Sequence, residues 1–248
     1  MIRTIWTVLV GALATVVFGG SAIIVAYLTP GRGGRYCDWA PKAWGKTILW
    51  AAGAKVKMEG LERLDMARPQ IMVSNHQSWF DVFALSAYLP VRFRFVAKKE
   101  LGRIPIYGQA WRACGHVSVD RGDRSAAIEA LAQASGEVKD LGLTMVMFPE
   151  GTRSPTGEIQ RFKKGAFVLA IQLQIPLVPV GIVGSRAIMR KGGWEVSSGE
   201  ITIRFGDPIS SEGLVIRDRD ALLKQSHAAV AELMEGNEVG PESPALRR

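Results

Sequence analysis

Ile71-Met72-Val73-Ser74-Asn75-His76-Gln77-Ser78-Trp79-Phe80-Asp81 carries the chain from a β-rich run into a helix, and where that switch falls decides the fold. In one continuous helix, five steps of 100° would leave His76 and Asp81 about 140° apart. His76 therefore precedes the helix. Ser78-x-x-Asp81 has the spacing of a capping box, which starts the helix at Ser78 and leaves His76 on the strand-to-helix turn, with Asp81 in the first helical turn. A carboxylate there can reach back to the imidazole, fix its tautomer and leave the other ring nitrogen free as a base. The spacing is equally compatible with Asp81 as a simple cap and His76 as a loop histidine.

Outward from this junction, short β-rich runs alternate with helical stretches. Strands are expected at Lys55 to Glu59, Ile71 to Ser74, Phe93 to Ala97, His116 to Val119, Thr144 to Phe148, Leu177 to Ile182 and Ile201 to Phe205. Helices are expected at Ser78 to Tyr88, Ser125 to Asp140, Lys164 to Leu173 and Asp220 to Met234. Such alternation implies an α/β layered domain, a mixed sheet of about seven strands flanked by helices. Residues 54–235 form the expected catalytic domain, 1–53 an N-terminal membrane anchor and interfacial segment, and 236–248 a flexible tail poor in residues to bury.

The N-terminal segment is uncharged from Thr4 to Pro30. At about 1.5 Å per residue, a helix over Thr4 to Leu28 exceeds a bilayer's hydrocarbon core of roughly 30 Å. A single membrane helix, two short helices broken at Gly19 and Gly20 and lying in the surface, and a cleaved signal peptide all remain open. Seven basic residues from Arg3 to Lys57 flank this run against one acid, Asp38, within a net charge of +8. If the helix spans, Arg32, Arg35, Lys42 and Lys46 outweigh Arg3 and place the C-terminal side in the cytoplasm. The charge pattern points to lipid head groups. Cys37 and Cys114 lie far apart and outside any metal-ligand spacing, so neither a metal site nor a disulfide is expected.

A second candidate motif, Phe148-Pro149-Glu150-Gly151-Thr152-Arg153-Ser154, also ends a strand, where Pro149 and Gly151 enforce a turn and open α/β sheets bind ligands. Between the two motifs runs a basic segment from Arg92 to Arg124. Most of its charges would solvate a surface, and one or two could hold a phosphate.

Four blocks in order now resemble the bacterial 1-acyl-glycerol-3-phosphate acyltransferase (lysophosphatidic acid acyltransferase) family: His76 with Asp81; Lys99-Glu100-Leu101 through Ile104-Pro105 and Gly108 to Asp120-Arg121; Phe148 to Ser154; and Ile175-Pro176-Leu177-Val178-Pro179-Val180. Gly181 departs from the family pattern. The resemblance implies His76 as general base and Asp81 as its orienting partner, with Arg121, Glu150, Gly151, Arg153 and, less centrally, Lys99 at the glycerol phosphate. It implies an acyl carrier protein or coenzyme A thioester as donor substrate and a lysophospholipid acceptor at a membrane bilayer, with no cofactor, metal or nucleic acid. There is no Gly-x-Ser-x-Gly elbow, so direct transfer is favoured over an acyl-enzyme. Backbone N–H groups near the His76 turn are the expected oxyanion donors. The same chemistry on glycerol 3-phosphate or a lyso-aminolipid, and a non-catalytic lipid-binding protein, are the alternatives.

Overall fold

The computed structural model describes residues 1–29, 34–120, 122, 130, 136 and 138–236. Arg121, most of the helix expected over Ser125 to Asp140, and the tail beyond Gly236 lie outside them. Seven strands form one sheet: β1 (Ala54–Glu59), β2 (Gln70–Ser74), β3 (Phe93–Lys98), β4 (Val117–Val119), β5 (Thr144–Met147), β6 (Leu177–Val183) and β7 (Gly199–Phe205), in the order β1-β7-β6-β2-β5-β3-β4. The five strands from β6 to β4 are parallel, and β7 reverses direction against β6 while pairing parallel with β1. Burial follows position. Every residue of β2 and β5 is buried, as continuous apolar runs in the middle of a parallel sheet require, whereas the edge strand β1 alternates.

Alternation along the central strands divides two cores. Met72 and Val146 face a layer containing Leu49, Phe80 and Leu85, while Ile71, Val73 and Met145 face Phe167, Ala170 and Val230. The first layer is roofed by α3 (Gly34–Ala52) and α4 (Trp79–Tyr88). The second belongs to α6 (Gly165–Leu173) and α8 (Arg219–Glu235); a short helix, α7 (Ser185–Ile188), links β6 to β7. Gly181 sits on β6 beneath α8, where a Cβ would stand 2.6 Å from the Leu233 Cβ. The departure from the family pattern therefore serves close helix-on-sheet packing and lies outside the lining of the cleft described below.

The N-terminus forms a helical hairpin. α1 (Ile2–Ala14), a π-helical turn (Thr15–Gly19) and α2 (Gly20–Leu28) make one rod, so Gly19 and Gly20 do not break it. α3 returns antiparallel to it: Arg3 donates to the Ala52 carbonyl at 2.9 Å, Trp44 Nε1 to Thr15 Oγ1 at 3.0 Å, and the Tyr36 hydroxyl to Ser21 Oγ at 2.7 Å. Thr4 Oγ1 also accepts from the Val196 N–H at 3.0 Å. The rod is thus held along the flank of the sheet domain. α3 crosses α4 closely at Gly45, where a Cβ would meet the Phe83 carbonyl at 2.6 Å. Of the described residues, only the stretch Ile2–Leu28 is a helix long and apolar enough to cross a membrane, with mean hydropathy 2.4 and only 11% of its most apolar window buried. Trp6 and Trp50, both exposed, stack edge to face at its start.

Two long-range links tie the hairpin to the sheet. Asp38 on α3 lies between Arg92 Nε (2.8 Å) and Arg94 Nη1 (2.9 Å), so two cations of the basic segment are structural. Arg94 is buried, and losing Asp38 would leave its charge uncompensated at a cost of about 3–5 kcal/mol. Beside this pair, Cys37 and Cys114 form a disulfide, with their Cα atoms 5.2 Å apart. This corrects the expectation of unpaired thiols. The 76 residues between them conceal a contact that only folding creates, between α3 and the end of the helix that Cys114 caps, α5 (Tyr107–Ala113).

Candidate active site

β2 and β5 are adjacent and parallel, so the turns after them emerge side by side at the sheet's carboxyl edge. His76 comes from the first turn and Glu150 from the second. The capping box forms as the sequence spacing requires: Ser78 Oγ accepts from the Phe80 N–H at 3.2 Å, and the Asp81 carboxylate accepts from the Ser78 N–H at 2.9 Å. The same carboxylate oxygen, Oδ2, also takes the Gln77 N–H at 2.7 Å and faces His76 Nδ1 at 2.8 Å. Asp81 is both cap and orienter. With Nδ1–H donating to the carboxylate, Nε2 is the free base, and the ring is stacked on Phe148 at 4.1 Å between centroids. Asp81 is fully buried, and its other oxygen has no hydrogen-bond partner among the described residues.

The second motif buttresses the first. Glu150 Oε1 accepts from the His76 N–H at 3.0 Å, and the Ser154 N–H donates to the His76 carbonyl at 2.7 Å. Gln160 Nε2 donates to the other Glu150 oxygen at 2.9 Å. Burial pushes the Glu150 carboxyl up to about 7, against these hydrogen bonds and with the nearby Asp81 charge adding to the rise. Glu150 therefore clamps the two loops from below. Gly151 holds φ at 75°, a left-handed conformation that glycine adopts without a Cβ penalty, and it turns the chain so that Arg153 reaches the site.

His76, Trp79, Phe148, Thr152 and Arg153 line a cleft of about 280 Å³, together with Lys98 and Leu101. The Arg153 guanidinium lies over the Trp79 ring, 5.2 Å from its centroid. Burial lowers its pKa from the ordinary arginine value, with the Asp81 charge acting against that, and among the described residues it has no ion-pair partner. Lys99 is not brought to the cleft. Its ammonium pairs with Asp120, while the preceding residue, Lys98, occupies the wall. Trp79, Phe148, Gln160 and Lys98 also contribute and were not expected as site residues; Trp79 and Phe148 lie within the two motifs and Lys98 is one step from Lys99, whereas Gln160 had no local signal.

The turn N–H groups of His76, Gln77 and Ser78 are all engaged by carboxylates, so they cannot serve as the expected oxyanion donors. Lys98, Thr152 and Arg153 are side-chain donors that line the cleft, together with Trp79, Tyr107 and Trp111, whose buried Nε1 has no hydrogen-bond partner among the described residues. His116 is no second base: burial, then the charge of Arg94, pushes it down to about 3, and its Nδ1 accepts the Phe95 N–H at 3.1 Å. Both cysteines are consumed by the disulfide, so neither is a nucleophile.

A family model described as Acyltransferase matches residues 55–183. The chain is 33% identical over 183 residues to the 1-acyl-sn-glycerol-3-phosphate acyltransferase of Limnanthes douglasii, covering 74% of this chain and spanning 64% of that relative's length. It is 29% identical over 237 residues to the protein of the same name from Pseudomonas aeruginosa, covering 94% of this chain and 90% of the relative. The crystal structure of the 1-acyl-sn-glycerophosphate (LPA) acyltransferase, PlsC, from Thermotoga maritima superposes with a TM-score of 0.81 at 27% identity, covering 95% of this chain and 94% of that one. The matched residues contain both the His76–Asp81 pair and the Glu150 to Arg153 turn, and the chain belongs to the acyltransferase family.

Proposed function

We propose that this chain transfers a fatty acyl group from an acyl carrier protein or coenzyme A thioester to the sn-2 hydroxyl of 1-acyl-glycerol 3-phosphate, forming phosphatidic acid. The observation that carries the reading is the His76–Asp81 pair at 2.8 Å, opening into a cleft whose cation, Arg153, is held over Trp79. His76 Nε2 takes the proton of the acceptor hydroxyl as its oxygen attacks the thioester carbonyl. The tetrahedral adduct collapses, the carbon–sulfur bond breaks, and the thiolate leaves with the proton returned by the imidazolium. Asp81 stabilises that imidazolium and fixes the tautomer on both passes. Lys98 and Arg153 supply positive charge for the oxyanion and for the acceptor phosphate. Arg121 is assigned to the same phosphate, and Gly151 and Glu150 to shaping the loop that presents Arg153. No acyl-enzyme is invoked, because neither cysteine is free.

The exposed apolar face of the rod and the tryptophans at the hairpin ends support association with a bilayer. Basic residues around the hairpin favour the cytoplasmic leaflet as the face on which the catalytic domain works. The test is His76→Ala, assayed by mass spectrometry of products from lysophosphatidate and acyl thioesters. A fall in rate of about 10² to 10⁴ with unchanged circular dichroism is expected. A folded variant that retains more than about a tenth of the wild-type rate would refute the mechanism.

A further inference from the structure

Two apolar hollows flank the cleft, on opposite sides of Trp44. The smaller, about 70 Å³, lies between the rod, α3 and α5 and meets the cleft at Val82, Phe95, Tyr107 and Trp111. The larger, about 490 Å³, lies between α1, α3 and α4 and meets the cleft at Trp79. Trp44 and Thr15 line both hollows, and their hydrogen bond at 3.0 Å makes them a partition. Thr15 belongs to the π-helical turn, a local break in helical register that is frequent at functional sites. The far side of the larger hollow is closed by Ile106. This β-branched residue holds φ at 63°, which persists only where the surroundings over-determine it, and its side chain packs towards Gly19, with Cγ2 3.0 Å from where a Cβ there would stand.

The chemistry of the larger hollow specifies its occupant. Its threonine hydroxyls donate back to the rod's own carbonyls, Thr7 to Arg3 and Thr15 to Gly11, each at 2.8 Å. The remaining walls are hydrocarbon, aromatic rings and a methionine, so an occupant finds apolar contact and almost no free polar partner. Val8 and Val16 form part of its rim and are 60% and 52% exposed, so it opens sideways onto the apolar face of the hairpin. Its inner end is the Trp79 ring, with the Arg153 guanidinium on it. A molecule with its phosphate at Arg153 and a hydrocarbon tail passing Trp79 would fill both. A lysolipid resident in a bilayer has that shape and enters from that side, whereas a thioester delivered by a water-soluble carrier does not.

We propose that the hollow between α1, α3 and α4 seats the acceptor's own acyl chain, admitted laterally from the membrane, with the Trp44–Thr15 pair separating it from the donor chain. The assignment rests on the acceptor reading above. It is tested first on the wild-type protein in vesicles of phosphatidylcholine and phosphatidylglycerol, with two photoreactive probes bearing a diazirine at the end of the acyl chain, one a lysophosphatidate and one an acyl-coenzyme A. The lysophosphatidate probe should label the α1 segment around Val8 to Val16, or Ile106. Labelling by that probe around Ala40 or Cys114, or the same residues by both probes, overturns the proposal. The second measurement uses Gly11→Leu, at a position where an added Cβ meets nothing nearer than Ile48 at 3.8 Å. It should raise KM for a hexadecanoyl lysophosphatidate by about tenfold more than for a hexanoyl one, the equivalent of roughly two buried methylenes, with KM for the donor unmoved. Equal effects on both acceptors, or a shift in donor chain preference, refute it. Wild-type protein that fails to turn over any lysophosphatidate would instead remove the underlying acceptor reading, and the two failures are thereby distinguishable.

Discussion

Replacing Asp81 by Asn isolates charge from shape at the centre of the site. The amide oxygen can occupy the position of Oδ2 and still accept from Gln77 and Ser78, so the helix start survives. What is lost is the negative charge 2.8 Å from His76 Nδ1, in a pair whose side chains are 16% and 0% exposed. At an effective dielectric of about 20, that interaction is worth roughly 6 kcal/mol once the imidazole is protonated in the transition state. At 1.36 kcal/mol per decade this is about 10⁴ in rate, and the residual amide dipole brings the expected fall in kcat to about 10³ to 10⁴. The new NH₂ faces the buried side where the carboxylate oxygen lacks a partner, costing about 1–3 kcal/mol of stability. For a chain of this size that lowers Tm by about 5 °C. Initial rates with lysophosphatidate and an acyl thioester, beside thermal melting, separate the two effects. A variant with kcat within about tenfold of wild type would show that Asp81 acts only as a cap, because a cap alone accounts for stability of about 0.5 to 2 kcal/mol and little activity.

Three further outcomes are expected. Glu150 keeps its proton up to about 7 in the folded protein but ionises near 4.5 when unfolded, so its own contribution to stability is fully present below 4.5 and is lost as pH rises from there through 7, by at most about 3 kcal/mol. Glu150→Gln should flatten that part of the Tm-versus-pH curve, and an unchanged slope would refute the assignment. Arg153→Ala should raise KM for lysophosphatidate by about 10- to 100-fold, the loss of a charge-assisted contact, while leaving KM for the donor near its original value; equal rises for both substrates would take it away from the phosphate. Reducing the Cys37–Cys114 bond, which closes a loop of 77 residues, should lower unfolding free energy by up to about 4 kcal/mol, read from denaturant midpoints with and without a dithiol.

The sheet was legible because most strands are short apolar runs rich in Val, Ile, Met and Phe, while β1, Ala-Lys-Val-Lys-Met-Glu, alternates, and all seven appear within two residues of their expected limits. His76 and Asp81 were legible for a different reason: the capping box is local, and its geometry leaves little choice about where the histidine lies. Features that depend on distant contacts were opaque. Asp38 reads as one acid in a basic segment until folding carries it to Arg92 and Arg94, 54 and 56 residues away. The disulfide was missed for the same reason. α3 was hidden because Pro41 and scattered charges interrupt its apolar pattern, and it is packing on α4 that makes it a helix of 19 residues. Lys99 and Lys98 were indistinguishable by composition; the end of β3 and the pairing with Asp120 decide which of the two reaches the cleft.

The chamber mouth lies on the same side of the molecule as the exposed apolar face of the rod, and this shapes turnover as well as binding. An acceptor that arrives through the bilayer is presented at its surface mole fraction, so saturation should follow the ratio of lysolipid to total lipid and not its amount per volume of buffer. The product leaves by the same door with two chains instead of one. At about 0.8 kcal/mol per buried methylene, a sixteen-carbon chain adds on the order of a dozen kcal/mol of membrane retention. The newly made lipid thus never has to cross water, dilution into the surrounding leaflet draws it away from the enzyme, and only the spent carrier returns to the aqueous phase.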